Sequence, residues 1–288
     1  MTLRNRLGRK PIVIAPGVYD ALTASIATQV GFEALYVSGA AIAYTKLGAP
    51  DIGLVSMSEV ADVISHIRER VETPLIADAD TGYGNALNVE RTVKLFERSG
   101  ANAIQIEDQV LPKRCGHLAD KNLIPQLEMV GKIHAAVDSR RSQKTLIVAR
   151  TDAVAVEGFE AAIERANAYS QAGADMLFVE APSSRNDLAR ICQSLAGGLP
   201  LMANMVEGGQ TPILPAQELE SLGFALVIFP GGIVRALTHA ARAFYNTLTN
   251  DGTTDASRDS MLDFEALNGL LGTGEYLARG KRYEGGGR

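Results

Sequence analysis

Phe96-Glu97-Arg98-Ser99-Gly100-Ala101-Asn102-Ala103-Ile104-Gln105-Ile106 is a joint between two kinds of structure. The residues before Gly100 close an amphipathic segment, 86–99, that reads as a helix. Gly100 accepts the left-handed backbone that ends one. The run 103–106 is short and apolar, like a strand buried on both faces. The same punctuation returns at Val30-Gly31-Phe32, Ala172-Gly173-Ala174 and Leu222-Gly223-Phe224. Apolar runs at 11–14, 34–37, 75–77, 103–106, 146–149, 176–179, 201–203 and 225–229 predict strands. Amphipathic segments at 58–71, 86–99, 126–139, 158–172 and 184–195 predict helices between them. Eight strand–helix units predict an α/β protein, a (β/α)8 TIM barrel. A doubly wound open sheet is the competitor, but no GxGxxG follows the first strand. The units share no tight repeat, which argues against a solenoid.

From about Leu237 the pattern changes to a helical extension. A helix is predicted over 239–249, then a polar break at Asn250-Asp251-Gly252-Thr253-Thr254, then a further helix from about Ser257. The end, Glu284-Gly285-Gly286-Gly287-Arg288, reads as disordered. No Pro/Ser-rich linker interrupts the chain, so the expectation is a single domain, 1–288, with a C-terminal helical extension.

Of 288 residues, 46% are hydrophobic and 21% charged, enough for a sizeable core. A net charge of −5 without a long basic run argues against nucleic acid as a partner. The two cysteines, Cys115 and Cys192, are far apart and form no CxxC, which fits a reducing cytosol better than a disulfide scaffold. The charged start lacks an apolar signal region, and no run reaches the ~20 apolar residues of a membrane span. A cytoplasmic protein without membrane contact is expected.

In such a barrel the active site lies at the C-terminal ends of the strands. Polar residues collect there: Ser38-Gly39-Ala40 after the second strand, Asp78 to Asn85 after the third, Glu107-Asp108 after the fourth, Arg150-Thr151-Asp152 after the fifth, Glu180 after the sixth, and Asn204 with Glu207 after the seventh. Asp78 and Asp80 alternate along a strand end and share a face. With Asp51 and Glu107 they form a nest of hard oxygen donors that calls for a cation, suiting Mg²⁺ or Mn²⁺ rather than structural Zn²⁺. Arg150 either forks a substrate carboxylate or pairs with Glu180; both readings stand. Ser38 and Gly39 offer a hydroxyl and backbone amides to a carboxylate, or simply form a tight loop. Cys192 falls in a helix and reads as core.

The stretch Lys113-Arg114-Cys115-Gly116-His117 sets a thiol among cations on a loop. Nearby positive charge lowers a thiol's pKa, so a reactive Cys115 is expected.

Together these stretches resemble the isocitrate lyase/phosphoenolpyruvate mutase superfamily. The resemblance also takes in Tyr36-Val37-Ser38-Gly39, Ala149 to Ala153, Val179-Glu180-Ala181-Pro182 and Asn204 to Pro212, and so spans nearly the whole chain. It implies a barrel whose last helix is swapped between subunits, in a homo-oligomer that is a dimer of dimers. It implies Mg²⁺ (Mn²⁺ possible in its place) held by Asp78 and Asp80, with Asp51 and Glu107 acting mostly through water. Substrate contacts would come from Ser38, Gly39, Ala40, Gly116, Arg150, Glu180 and Asn204.

Within the superfamily the Lys-Arg-Cys-Gly-His loop marks the carbon–carbon lyases. The implied reaction is retro-aldol cleavage of a small 2-hydroxy acid to a 2-oxo acid and a carboxylate. Cys115 would be the general acid, with Arg150, Glu180 and His117 beside it and Tyr36 a candidate base. The stretch from Phe178 to Glu284 resembles the alkylmalate lyases, such as 2,3-dimethylmalate lyase and the petal death protein, through Glu207-Gly208-Gly209 and Met261 to Glu265. In 2-methylisocitrate lyase the first reads Glu-Phe-Gly, and an arginine that contacts substrate aligns with Phe264. Arg235 points the other way, matching a substrate-contacting arginine of that enzyme. An alkylated malate is therefore expected, with 2-methylisocitrate or an oxaloacetate-cleaving hydrolase or decarboxylase reaction as the alternatives. A catalytically idle binding barrel is disfavoured by the costly clustered acids.

Overall fold

The structure is a computed structural model that describes residues 2–284. Its strands are β1 (Val13–Val18), β2 (Leu35–Val37), β3 (Leu75–Asp78), β4 (Ala103–Glu107), β5 (Leu146–Thr151), β6 (Met176–Val179), β7 (Leu201–Asn204) and β8 (Leu226–Phe229). They close into a parallel barrel in chain order, each paired with the next and β8 with β1. The helices that follow the strands are α1 (Ala21–Val30), α2 (Met57–Arg68), α3 (Ala86–Ser99), α4 (Gln126–Ser139), α5 (Phe159–Gln171), α6 (Arg185–Ser194), α7 (Ala216–Leu222) and α8 (Gly232–Asp251). The predicted (β/α)8 barrel is the observed fold.

Period-two alternation divides each strand between two cores. Val13, Tyr36, Ile76, Leu146, Phe178 and Met202 pack inside the barrel with Leu3 and Leu7 of the short helix Leu3–Leu7. Their neighbours Leu35, Leu75, Ile104, Ile147, Leu177 and Leu201 pack outward against the helices. Parallel strands covered on both faces read as continuous apolar runs, which is why they were visible in sequence.

The first strand departs from expectation, running to Val18 instead of ending at Ile14. Pro16-Gly17 resembles turn punctuation. Gly17 is needed for another reason: a Cβ there would stand 2.1 Å from the carbonyl oxygen of Pro230, so β1 passes the chain after β8 at backbone contact. Gly100 behaves as read. It caps α3 at φ 109°, and a Cβ would also strike the Arg68 side chain at 2.8 Å.

The chain divides into two compact units, Met1–Val234 and Arg235–Arg288. The second carries most of α8, a 3-10 turn at Asp255–Ser260, and the helices α9 (Phe264–Leu271) and α10 (Thr273–Glu284). The predicted helix at 239–249 is part of α8. The one predicted from Ser257 starts later, where the Asp263 side chain accepts the Ala266 N–H and caps α9. Glu284 ends α10 in helix, not in the predicted disorder; the rest of that tail, 285–288, lies outside the described residues. Among the described residues no helix is long and apolar enough to cross a membrane.

Candidate active site

The inward alternation that builds the barrel core carries on past the apolar layer. After Ile76 comes Asp78, after Ala103 comes Gln105 and then Glu107, after Val148 comes Arg150, after Phe178 comes Glu180, and after Met202 comes Asn204. Register sets Glu107 opposite Arg150 and Asp78 opposite Gln105 on neighbouring strands. The predicted site residues of the barrel thus meet at one end of it, with Ser38, Gly39, Asp51, Asp78, Asp80, Glu107, Arg150 and Glu180 all buried.

Asp78 and Asp80 face Gly39, where a Cβ would stand 3.2 Å from Asp78 Oδ2 and 3.5 Å from Asp80 Oδ1. Asp78 is held by Gln105, whose Nε2 donates to its Oδ1 at 3.3 Å, and Tyr36 donates its hydroxyl to Gln105 Oε1 at 2.8 Å. Burial and then Asp78 push the Tyr36 phenol well above its ordinary range, so it stands here as a neutral donor rather than a base. Asp80 sits at φ 47°, a left-handed backbone that a non-glycine residue adopts at a cost. The next carbonyl, of Thr81, accepts from the buried Lys132 ammonium of α4 at 3.1 Å, which pins that turn. Ser38 uses its hydroxyl locally, accepting the Ala41 N–H at 3.2 Å, with Ala40 half-buried in the same turn.

The loop after β4 covers this end and differs from its reading in one respect. Lys113 does not serve Cys115; its buried ammonium lies 2.5 Å from Asp51 Oδ1 and 2.8 Å from Asp80 Oδ1. Burial pushes the Cys115 thiol up from its ordinary value, and the His117 backbone and Arg150 pull against this without overcoming it. The expected thiol of lowered pKa is replaced by one that keeps its proton. The Cys115 N–H donates to the Asp51 carbonyl at 3.1 Å. Gly116 passes so near that a Cβ would be 2.5 Å from Arg150 Nη2 and 2.6 Å from Glu180 Cγ. His117 Nδ1 accepts the Gln210 N–H at 3.1 Å, which leaves the ring proton on Nε2, 3.1 Å from Glu180 Oε1.

Arg150 turns out to have more partners than Glu180. Its Nε and Nη2 donate to Asp152 at 2.8 and 3.0 Å, and Nη1 lies 3.2 Å from Glu107 and 3.8 Å from Glu180. Burial alone would raise Glu180, but Arg150 and His117 outweigh it and hold the carboxyl below its usual range. Asn204 Nδ2 donates to both Glu180 oxygens, while its Oδ1 is buried without a hydrogen-bond partner. Arg235 is exposed and belongs to the second unit.

Sequence reasoning places Asp108 and Asp152 at strand ends without giving them a role, and it passes over Gln105 and Lys121. Asp108 is fully buried and accepts from Thr151, the Asp152 N–H, Tyr169 and Arg165, tying β4 and β5 to α5. Continuing the two-residue period inward finds Gln105 and sets Asp152 beside Arg150; Lys121, at the far end of a loop, leaves no such signal.

The donor set fits a hydrated divalent cation. Six buried carboxylates (Asp51, Asp78, Asp80, Glu107, Asp152, Glu180) face three buried cations, Lys113, Lys121 and Arg150. Burial raises Glu107 well above its usual range against the pull of Arg150, and its Oε1 lacks a hydrogen bond. Among the described residues no three acids, histidines or cysteines form a ready cage. Mg²⁺ needs none, since it takes one or two carboxylates and fills its octahedron with water and substrate oxygens.

The sequence model of the family described as phosphoenolpyruvate phosphomutase matches residues 3–249. The chain is 44% identical over 270 residues to 2,3-dimethylmalate lyase of Eubacterium barkeri, covering 94% of this chain and 93% of that one. It is 46% identical over 279 residues to 2-methylisocitrate lyase of Aeropyrum pernix, covering 97% and 89%. A crystal structure of 2,3-dimethylmalate lyase superposes with a TM-score of 0.92 at 37% identity, covering 99% of this chain and 94% of the other. By sequence and by fold alike, the chain belongs to the phosphoenolpyruvate mutase/isocitrate lyase superfamily and is a lyase within it.

Proposed function

We propose that this lyase cleaves an alkylated malate, a 2,3-dimethylmalate-like 2-hydroxy dicarboxylate, into a 2-oxo acid and a carboxylate. The observation that carries the reading is the seating of the Cys115 loop. The Cys115 N–H hangs from the Asp51 carbonyl, and Gly116 lies against Arg150 and Glu180, so a thiol that burial keeps protonated, a cation and the carboxylate nest come together at one end of the barrel.

Asp78 and Asp80 would hold Mg²⁺, or Mn²⁺ in its place, with Asp51 and Glu107 outside them. When bound, the metal supplies a Lewis acid toward the substrate's hydroxyl and neighbouring carboxylate. Arg150, already oriented by Asp152 and Glu107, balances charge on the substrate. Glu180, held by Asn204 with His117 beside it, lines the same wall. Ser38, Gly39, Ala40 and Gly116 present backbone and hydroxyl groups around the bound acid. When the C2–C3 bond breaks, the substrate hydroxyl releases its proton as C2 becomes the carbonyl carbon, and the C2–C3 pair leaves with the departing fragment. Cys115 donates its proton to that fragment's carbon, and the thiolate regains a proton before the next turnover.

Identities of 44% to a dimethylmalate lyase and 46% to a methylisocitrate lyase do not separate the two substrates. A dicarboxylate is favoured because the barrel-end cations Arg150, Lys113 and Lys121 are already engaged with acids, leaving a third substrate carboxylate poorly served. Phe264, in place of an arginine, supports the same choice. Arg235 remains a proposed substrate contact on resemblance alone. We also infer a homo-oligomer, a dimer of dimers with exchanged C-terminal helices. In its support, α9 and α10 bury no residue, and Phe264, Leu277 and Tyr283 are more than half exposed. A cytoplasmic setting follows the cysteine usage.

The test is release of 2-oxo acid with Mg²⁺ from a panel of 2,3-dimethylmalate, other alkylmalates, 2-methylisocitrate, isocitrate and oxaloacetate. Highest kcat/KM on an alkylmalate is expected; preference for 2-methylisocitrate or for oxaloacetate overturns the substrate assignment.

A further inference from the structure

Lys121 lies at the far end of the Cys115 loop, yet its side chain is 1% exposed. Its ammonium donates to the Gly116 carbonyl, five residues back in the same loop, and at 2.9 Å to Asp152 Oδ1. That Asp152 carboxylate also receives the Nε and Nη2 donors of Arg150. Burial alone would raise Asp152, but Arg150 and Lys121 hold it at about 2, so it is an anion shared by two cations. One chain of contacts therefore runs from the Cys-Gly-His tip, through Lys121 and Asp152, to the arginine beneath it.

We infer that Lys121 is a positioning residue: it fastens the loop tip over the site through the same Asp152 carboxylate that holds Arg150. The inference rests on the lyase reading above, in which Cys115 acts on a substrate that Arg150 holds. Neutralising Asp152 alone gives no reason for the ammonium to bond the Gly116 carbonyl as well. The stem of the loop is held separately, since Gln109 brackets Arg114 by donating to its carbonyl at 2.8 Å and accepting its N–H at 2.9 Å. Loss of Lys121 should therefore loosen residues 115–118 and leave 109–114 in place. Because Arg150 keeps Asp152 and Glu107, substrate affinity should change little while the acid is misplaced.

The experiment uses the full chain with Cys192→Ala, so that Cys115 is the sole thiol. In Lys121→Met, hydrogen exchange at residues 115–118 and alkylation of Cys115 by iodoacetamide should each quicken roughly tenfold or more, with exchange in the barrel strands unchanged. Turnover should fall by roughly 10–100-fold, as small misplacements of reacting groups do, with KM within about threefold. In Lys121→Ala, n-propylammonium should slow alkylation and restore turnover several-fold, whereas tetramethylammonium, a cation without N–H donors, should do neither. Unchanged exchange and alkylation in a folded Lys121→Met overturn the inference, whatever happens to turnover. If that variant does not fold, Lys121→Gln is read by the same criteria. Failure of the lyase reading looks different: Cys115→Ser would keep full turnover, while Lys121→Met would still loosen the tip.

Discussion

Cys115 and Asp51 are joined backbone to backbone, the cysteine N–H donating to the aspartate carbonyl at 3.1 Å, while the Asp51 carboxylate holds Lys113. Moving the loop therefore moves the thiol and the Lys113 cation together, away from the same residue.

If Cys115 protonates the leaving fragment, Cys115→Ser should lower turnover ~10²–10⁴-fold, the usual size of general acid catalysis. A serine hydroxyl nearly matches the thiol in shape but is far less acidic, so KM should move much less. Cys192, buried on α6, should be replaceable by alanine with catalysis intact. Steady-state kinetics of both variants check the assignment, and the reverse pattern means the wrong cysteine has been chosen.

The acid nest predicts metal dependence. Excess chelator should abolish turnover, and Mg²⁺ or Mn²⁺ should restore it. Asp80→Ala should lose activity yet stay folded, since it removes a carboxylate from a crowd of like charges. Full turnover by protein shown to be metal-free would end the metal reading.

Gly116→Ala should act through space alone. A methyl group 2.5 Å from Arg150 Nη2 and 2.6 Å from Glu180 Cγ cannot be accommodated with the loop seated. Turnover should fall roughly 10²-fold with the thermal midpoint little altered, because an unseated surface loop leaves the barrel core alone. Wild-type kinetics from this variant would mean the seated loop is not the working form.

Proteolysis reports the same motion. Arg114 is about half exposed and Lys113 is buried, so trypsin should cut after Arg114 first. A substrate analogue with Mg²⁺ should protect that bond. Equal cutting with and without the analogue counts against a lid.

Away from the chemistry, Tyr169→Phe removes the hydroxyl that donates to Asp108 Oδ2 at 2.7 Å. Leaving a buried carboxylate short of a donor should cost about 1–3 kcal/mol, seen as a lower denaturant midpoint. Activity of the folded fraction should stay within a few-fold of wild type.

Much of this is readable in the sequence, for a definite reason. Strands buried on both faces appear as apolar runs, and helix ends appear as glycines, so runs such as 103–106 and joints such as Gly100 locate the barrel units. Asp78, Asp80, Glu107, Arg150, Glu180 and Asn204 were legible because strand ends are where this architecture places chemistry. The charge environment of Cys115 was not. Proximity in sequence suggested that Lys113 would acidify the thiol, whereas folding sends Lys113 to Asp51 and Asp80 and leaves burial to dominate. Lys121 escaped notice because its partners, Gly116 and Asp152, become neighbours only when the loop folds back. The apolar run 11–14 stops short of β1, whose later part runs through Pro16-Gly17, and the approach of Pro230 explains that glycine.

The Asp108 clamp has a consequence for redesign. Glu107 and Arg150 project inward, while the residue after each turns the other way: Asp108, just past β4, accepts from Thr151 of β5 and from Arg165 and Tyr169 of α5. Rigidity and reactivity thus occupy opposite sides of one ribbon. An engineer could rewrite the inward residues to suit another acid and leave the framework that holds them undisturbed.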